Sequence, residues 1–408
     1  MTRLRTYLFV SLAFVLLAAC TPAATEAPPA ATEDMAATEE VAATEEVVAT
    51  EAVVDWATAT SAEEGGGFDA LVAAAQAEGQ VTVIALPRDW CNYGEVIDAF
   101  SAKYGITVNE LSPEFGSAQE LEAIRATKDS GGPQAPDVID VGVSSGPSAR
   151  DEGLLAAYKV ETFDTIAGDK DADGYYYADY GGVLVFQVNS TLITDIPSDW
   201  GDLLDPKYAG QLALAGDPRL SNQAAQTVYA AAIANGGTLD DITAGLDYFA
   251  QMNAAGNLLP VIATTATFAR GETPIVVGAW NYLALGNKET LAGNPEVEIV
   301  YPESGAWGGW YLQAISAYAP HPAAARLWEE FLYSDEGQLI WMKGYCVPSR
   351  IGDMNTRGVI PDDLAARMPA PGVMENAVIP SVAQLSAARE RIAAEWDTVV
   401  GLNIQAAP

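Results

Sequence analysis

From Phe68 onward the chain alternates between helical and extended hydrophobic patterns, and no other feature constrains its fold as much. Residues 68–75 have the spacing of a short amphipathic helix, and residues 81–86 form an apolar strand ended by Pro87. Residues 94–104 place Val96, Ile97 and Phe100 on one helical face and stop at Gly105; residues 106–111 are the next strand. A further helix is predicted over 117–129, with Ser117 and Glu120 as a capping box. A third strand follows over 137–142 and leads into Ser144-Ser145-Gly146. Strands that alternate with helices imply an α/β domain with a parallel sheet, whose ligand site lies beyond the carboxyl ends of the strands. The loops after Leu86 and Val141 are therefore the places to look for function.

The pattern continues through the rest of the chain. A long extended run covers 175–188, and a short strand over 212–214 enters the turn Gly216-Asp217-Pro218-Arg219. A helix over 238–252 would start at Thr238. Strands are predicted over 275–280, 297–301 and 310–317, helices over 322–331 and 335–343, and a mostly helical tail over 380–396.

The first 67 residues belong to a different regime. Arg3 and Arg5 precede an uncharged apolar stretch over 7–18, followed by Leu17-Ala18-Ala19-Cys20. Twelve helical residues reach only ~18 Å, short of a ~30 Å hydrocarbon core, so the stretch reads as a signal peptide and not a membrane span. Small residues before a cysteine resemble the lipobox of bacterial lipoproteins. That resemblance implies that Cys20 carries the lipid and anchors the mature chain at the outer face of the cytoplasmic membrane; an ordinary signal peptide with a coincidental cysteine is the alternative. Residues 21–67 repeat an Ala-Ala-Thr-Glu-Glu-Val unit with acidic and no basic residues, and are expected to be a disordered, charge-extended stalk.

The formal net charge of −35 leaves no basic surface for phosphates, which argues against nucleic acid as a partner. Only Cys91 and Cys346 remain besides Cys20, and a cysteine pair in an exported domain points to a disulfide. With a single histidine and no metal-ligand spacing, neither a metal centre nor histidine-based catalysis is expected. No cofactor is implied, and nothing identifies an enzyme. Paired carboxylates of a surface hydrolase remain the distant alternative, and a sensor or adhesion module on the same scaffold is a third.

Several motifs occur in a characteristic order: Pro136-Asp137-Val138, the loop over 198–210 with Asp205-Pro206-Lys207-Tyr208, Gly216-Asp217-Pro218-Arg219, Gly271-Glu272, His321-Pro322, Ser334-Asp335-Glu336-Gly337 and Cys346-Val347-Pro348-Ser349-Arg350. Over residues 68–400 the chain resembles the substrate-binding proteins of ABC importers, in the type II periplasmic branch that handles ferric ion, thiamine, phosphonates and polyamines. The resemblance implies a two-lobed type II periplasmic-binding-protein fold hinged on crossover strands at 175–187 and 310–317. Lobe one would comprise 68–180 and 311–352, and lobe two 181–310 and 353–408. It also implies a monomer that captures a small solute and delivers it to a permease in the membrane.

On the same resemblance, Trp90 and Tyr93 match a cleft motif of polyamine binders, whose aromatic faces attract organic cations. Trp280 matches a ligand-stacking aromatic. Asp217 matches an amine-binding carboxylate, although Asp217 and Arg219 could instead pin a loop, and Arg219 or Ser221 could meet an anion. Ser144, Ser145, Tyr180, Trp307 and Tyr311 complete the candidate ligand contacts. Tyr311 stands where polyamine binders place a second aspartate, which departs from that pattern. The leading expectation is a cationic organic solute, polyamine- or thiamine-like, with ferric ion or a phosphonate as the alternative. Cys91 and Cys346 both fall in lobe one near the cleft rim.

Overall fold

The computed structural model describes residues 54–369 and 373–406. The expected signal peptide, Cys20 and the acidic repeat through residue 53 lie outside the described residues. Among the described residues eleven strands occur in chain order: β1 (Gln80–Ile84), β2 (Thr107–Leu111), β3 (Val138–Gly142), β4 (Leu155–Ala156), β5 (Tyr177–Asn189), β6 (Leu212–Leu214), β7 (Leu258–Ile262), β8 (Ile275–Trp280), β9 (Val297–Val300), β10 (Gly308–Ser316) and β11 (Val347–Pro348).

β1 and β2 run parallel, joined through the Tyr93–Tyr104 helix. β3 lies beside β1, where the Asp137 amide donates to the Thr82 carbonyl at 2.8 Å and the Thr82 amide donates to the Asp137 carboxylate at 2.6 Å. β10 then pairs antiparallel with β3 on one side and β5 on the other. In the second half of the fold β6 lies parallel to both β7 and β8. The expected parallel sheet is thus present within each lobe, while the crossover strands join it antiparallel.

β5 holds the two halves together. It is buried along its whole length, which its Val- and Phe-rich run over 183–188 favours. Up to Val183 it pairs with β10, and from Leu184 it pairs with β8, so the change of lobe occurs within one continuous strand. Gly181 and Gly182 face Trp310 and Gly309 across this change. A Cβ on Gly182 would lie 2.5 Å from Oδ1 of Asn281, which accepts the Val183 amide, so only glycine leaves that bond in place.

Three expectations are corrected. Residues 54–67 are not an unpacked stalk: Trp56 and Ala59 are buried, the Lys159 amide donates to Thr60 O, and the buried Arg326 guanidinium donates to the carbonyls of Ala57, Ala59 and Pro322. One tryptophan in a low-complexity run supplies enough apolar surface to dock it. The expected boundary after residue 352 is not a break in contacts: Arg357 pairs with Asp335 of lobe one, and Arg367 donates to the Lys343 carbonyl while also pairing with Glu289 of lobe two. The helix expected from Thr238 begins at Thr243, since the Thr238 hydroxyl accepts the Asp240 and Asp241 amides in a turn and the Asp241 carboxylate accepts the Thr243 amide.

Candidate functional site

The two lobes enclose a cavity of about 390 Å³, within the range of small-molecule sites. Lobe one contributes the loop after β1 with Pro87 and Trp90, the start of the Ser117–Thr127 helix, Asp140 on β3, Tyr180 on β5 and Tyr311 on β10. Lobe two contributes the loop 215–221, the start of the Asn222–Ala234 helix, Ile262 on β7 and Arg389 on the Val382–Val399 helix.

Asp140 organises the lobe-one wall. Strand alternation turns it toward the cleft, and its Oδ2 accepts the hydroxyls of Tyr180 at 2.8 Å and Tyr93 at 2.9 Å. Its Oδ1 has no partner among the described residues although it is buried. Burial pushes the Asp140 carboxyl up to about 7, against the opposing effect of the two tyrosines. The Trp90 indole N–H donates to the Tyr180 hydroxyl at 2.7 Å, which fixes the indole at the cavity edge. Tyr180 and Tyr311 stack with ring centres 5.6 Å apart, and Trp90 meets Tyr311 edge-on at 5.7 Å. Burial pushes the hydroxyls of Tyr93, Tyr180 and Tyr311 up.

The Ser117–Thr127 helix is tied to β3 by its own side chains. Ser117 Oγ accepts the Gly142 amide at 3.0 Å and Glu120 accepts the Asp140 amide at 3.0 Å. The capping box expected from Ser117 and Glu120 is therefore not formed by them; Gln119 caps Gly116, and the other two satisfy amides of the strand. Burial raises the Glu120 carboxyl well above its ordinary value.

The disulfide Cys91–Cys346 closes the back of the Trp90 loop onto the turn before β11, with Cα atoms 5.6 Å apart. Cys91 and Asn92 adopt positive φ of 45° and 63°, a conformation that non-glycine residues hold only when their surroundings impose it.

Of the candidate contacts, Trp90, Tyr180, Asp217, Ser221 and Tyr311 line the cavity. The others do not. Tyr93 is fully buried behind Asp140, and Trp280 is buried in a stack on Tyr282. Trp307 is buried with its indole N–H on Gln226 at 2.8 Å. Arg219 turns away to grip Asp217, Asp397 and Asn403, so it pins the loop and neutralises Asp217. Ser144 accepts from Arg389 outside the cavity lining, and Ser145 begins the Ser145–Asp151 helix. Asp140, Asn222 and Arg389 line the cavity without having been singled out in the sequence, and so does Glu120, which was read only as a capping residue. An aspartate inside the apolar run 138–143 was the one available signal; Arg389 had none.

A family model described as bacterial extracellular solute-binding protein matches residues 134–366, more than half of the chain. The chain belongs to the bacterial extracellular solute-binding protein family. A periplasmic protein of Salmonella typhimurium named for 2-aminoethylphosphonate binding is 29% identical over 279 residues, covering 64% of this chain and 76% of that one. Among solved structures, the periplasmic binding protein AfuA of Actinobacillus pleuropneumoniae, with fructose-6-phosphate bound, superposes with a TM-score of 0.62 at 24% identity, covering 79% of this chain and 98% of its own. Iron-bound HitA of Pseudomonas aeruginosa gives 0.59 at 21% identity over 79% and 99%. The type II periplasmic-binding-protein fold read from the motifs is therefore the fold of this chain. The family and fold are those of periplasmic solute-binding proteins of ABC transporters, which bind small solutes and deliver them to a membrane permease, and not those of enzymes.

Proposed function

We propose that this chain is the membrane-tethered capture protein of an ABC importer, anchored through Cys20, and that its solute is small, polar and bears an amine. The observation that carries the amine is Asp140: a buried carboxylate oxygen without a partner, at the wall of a cavity edged by Trp90, Tyr180 and Tyr311. A bound ammonium would complete the Asp140 coordination and favour its ionised form, and the aromatic faces would add cation–π attraction. The compound for which the Salmonella relative is named carries such an amine, which is compatible with this reading.

A ligand that binds only the folded protein at a hundred times its Kd stabilises it by about 2.7 kcal/mol. The mature chain with Cys20 replaced by serine, melted with putrescine, thiamine, 2-aminoethylphosphonate or ferric citrate, should be stabilised by at least one amine, and Asp140→Asn should erase that gain. Stabilisation by ferric citrate alone would sink the amine reading. The anchor is tested in the producing cells: Cys20→Ala should move the protein from the membrane to the soluble fraction.

A further inference from the structure

Asp140 stands at the cavity wall in a shell of acids and phenols. Tyr93 and Tyr180 donate their hydroxyls to Oδ2, and Oδ1 is buried without a partner among the described residues. The Ser117–Thr127 helix presents Glu120, which accepts the Asp140 amide. From β10, Gln313 donates to the Tyr93 hydroxyl at 2.8 Å and to Asp179 at 3.1 Å, which joins a second buried carboxyl, on β5, to the first. Buried Glu329 of the Pro322–Leu332 helix, Tyr333 just beyond it, Tyr282 of the Asn281–Leu291 helix and Tyr311 of β10 complete the groups that feel its charge.

No cation answers this acid. Arg389 is the one basic residue in the cavity lining, and its side chain bonds Ser144 Oγ. Asp217 is already paired with Arg219, and the exposed Glu114 adds a further negative charge to the lining. No lysine or arginine pairs with Asp140 among the described residues. A carboxylate buried among other carboxyls with no cation beside it is costly. The two tyrosine hydroxyls offset part of that cost, and the acid settles at about 7. In the empty cavity Asp140 is therefore protonated in about half of the molecules at neutral pH. Oδ1, the oxygen that no donor occupies, is where that proton sits.

We propose that Asp140 selects the charge of the solute by exchanging a proton for it: an ammonium entering the cavity displaces the proton from Oδ1 to water and takes its place. The ammonium keeps its own protons, the carboxyl gives up one, and the wall with its guest stays neutral before and after. A neutral alcohol of the same shape has no charge to offer the carboxylate and gains nothing from the exchange. The proposal rests on the amine reading above and adds the proton to it, so that capture weakens as pH falls below the titration of Asp140.

Two measurements test it on the full mature chain stripped of co-purifying ligand. The first is carboxyl carbon NMR of the ligand-free protein, in which the aspartate resonance missing from Asp140→Asn should titrate near pH 7. The second is calorimetry at pH 6 and pH 8, each in two buffers of different ionisation enthalpy. The probes are putrescine, ethanolamine and β-alanine, whose amines stay charged across this range, with 1,4-butanediol as the neutral mate of putrescine. The amine that binds should release about 0.9 proton at pH 6 and about 0.1 at pH 8, and should bind about tenfold more tightly at pH 8. Tyr180→Phe, which takes one donor from Oδ2, should move that step to higher pH. An amine that binds equally at both pH values without releasing a proton would overturn the exchange and leave the amine reading standing, as would an Asp140 resonance that titrates below pH 5. Butanediol binding as tightly as putrescine, or no amine binding at either pH while Asp140 titrates near 7, would overturn the amine reading and the exchange with it.

Discussion

Tyr180 serves two neighbours with one hydroxyl, accepting from the Trp90 indole and donating to Asp140. Tyr180→Phe keeps the ring stack on Tyr311 but leaves a half-buried indole N–H and a buried carboxylate each short of a partner. Leaving such groups unmatched costs about 1–3 kcal/mol, so the urea midpoint of Tyr180→Phe should fall accordingly; an unchanged midpoint would mean that the network adds no stability. At this scale the sequence was only partly legible. Trp90 came to notice through the resemblance of Trp90 and Tyr93 to a cleft motif, and of the two only Trp90 lines the cavity. Trp280 and Trp307 invited the same reading and are core residues, because aromatic character alone does not say which side of a strand or turn faces the cleft. Asn222 and Arg389 line the cavity because elements that lie far apart in the chain meet near Gly142.

Secondary structure was more legible where hydrophobic period and turn residues agreed, as in the strands at 81–86, 106–111 and 137–142. The Asn222–Ala234 helix escaped notice: it is alanine-rich and buried on nearly every face, so it has no polar stripe to reveal its period. The segment 54–67 was misread because composition pointed to a spacer while Trp56 and Arg326 decide otherwise. Arg326 is buried, lies over the Tyr158 ring at 5.4 Å, and takes two of its three acceptors from Ala57 and Ala59. A chain beginning at Gly66 therefore loses the Trp56 contact and exposes a buried guanidinium with one acceptor left. Its unfolding free energy should be lower by about 2–4 kcal/mol than that of a chain beginning at residue 50. Equal denaturant midpoints for the two would show that the segment is ornamental.

Across the whole molecule, lobe one stores an unusual number of carboxyls in its interior. Burial pushes Asp140 up to about 7 and Glu330 up to about 6, and raises Glu120, Asp179 and Glu329 well above their ordinary values. A carboxyl raised in the folded state holds its proton more tightly there than in the unfolded chain. Its contribution to stability is therefore lost as pH rises from the unfolded value near 4 toward the folded one. His321, raised by its bond to Asp137, acts in the same direction, losing its contribution as pH climbs through its folded value. The net charge of −35 adds self-repulsion on the same side. The ligand-free protein should melt about 5 °C or more higher at pH 5 than at pH 8, and a midpoint that rises with pH would contradict the buried-acid account. A bound amine should narrow the difference by compensating Asp140. The docked segment at 54–67 also has a mechanical meaning. It grips Lys159 and Arg326, both in lobe one, so a pull arriving along the N-terminal chain enters the fold on that side alone. A load entering there would not have to pass through β5 or β10, the strands that join the two halves.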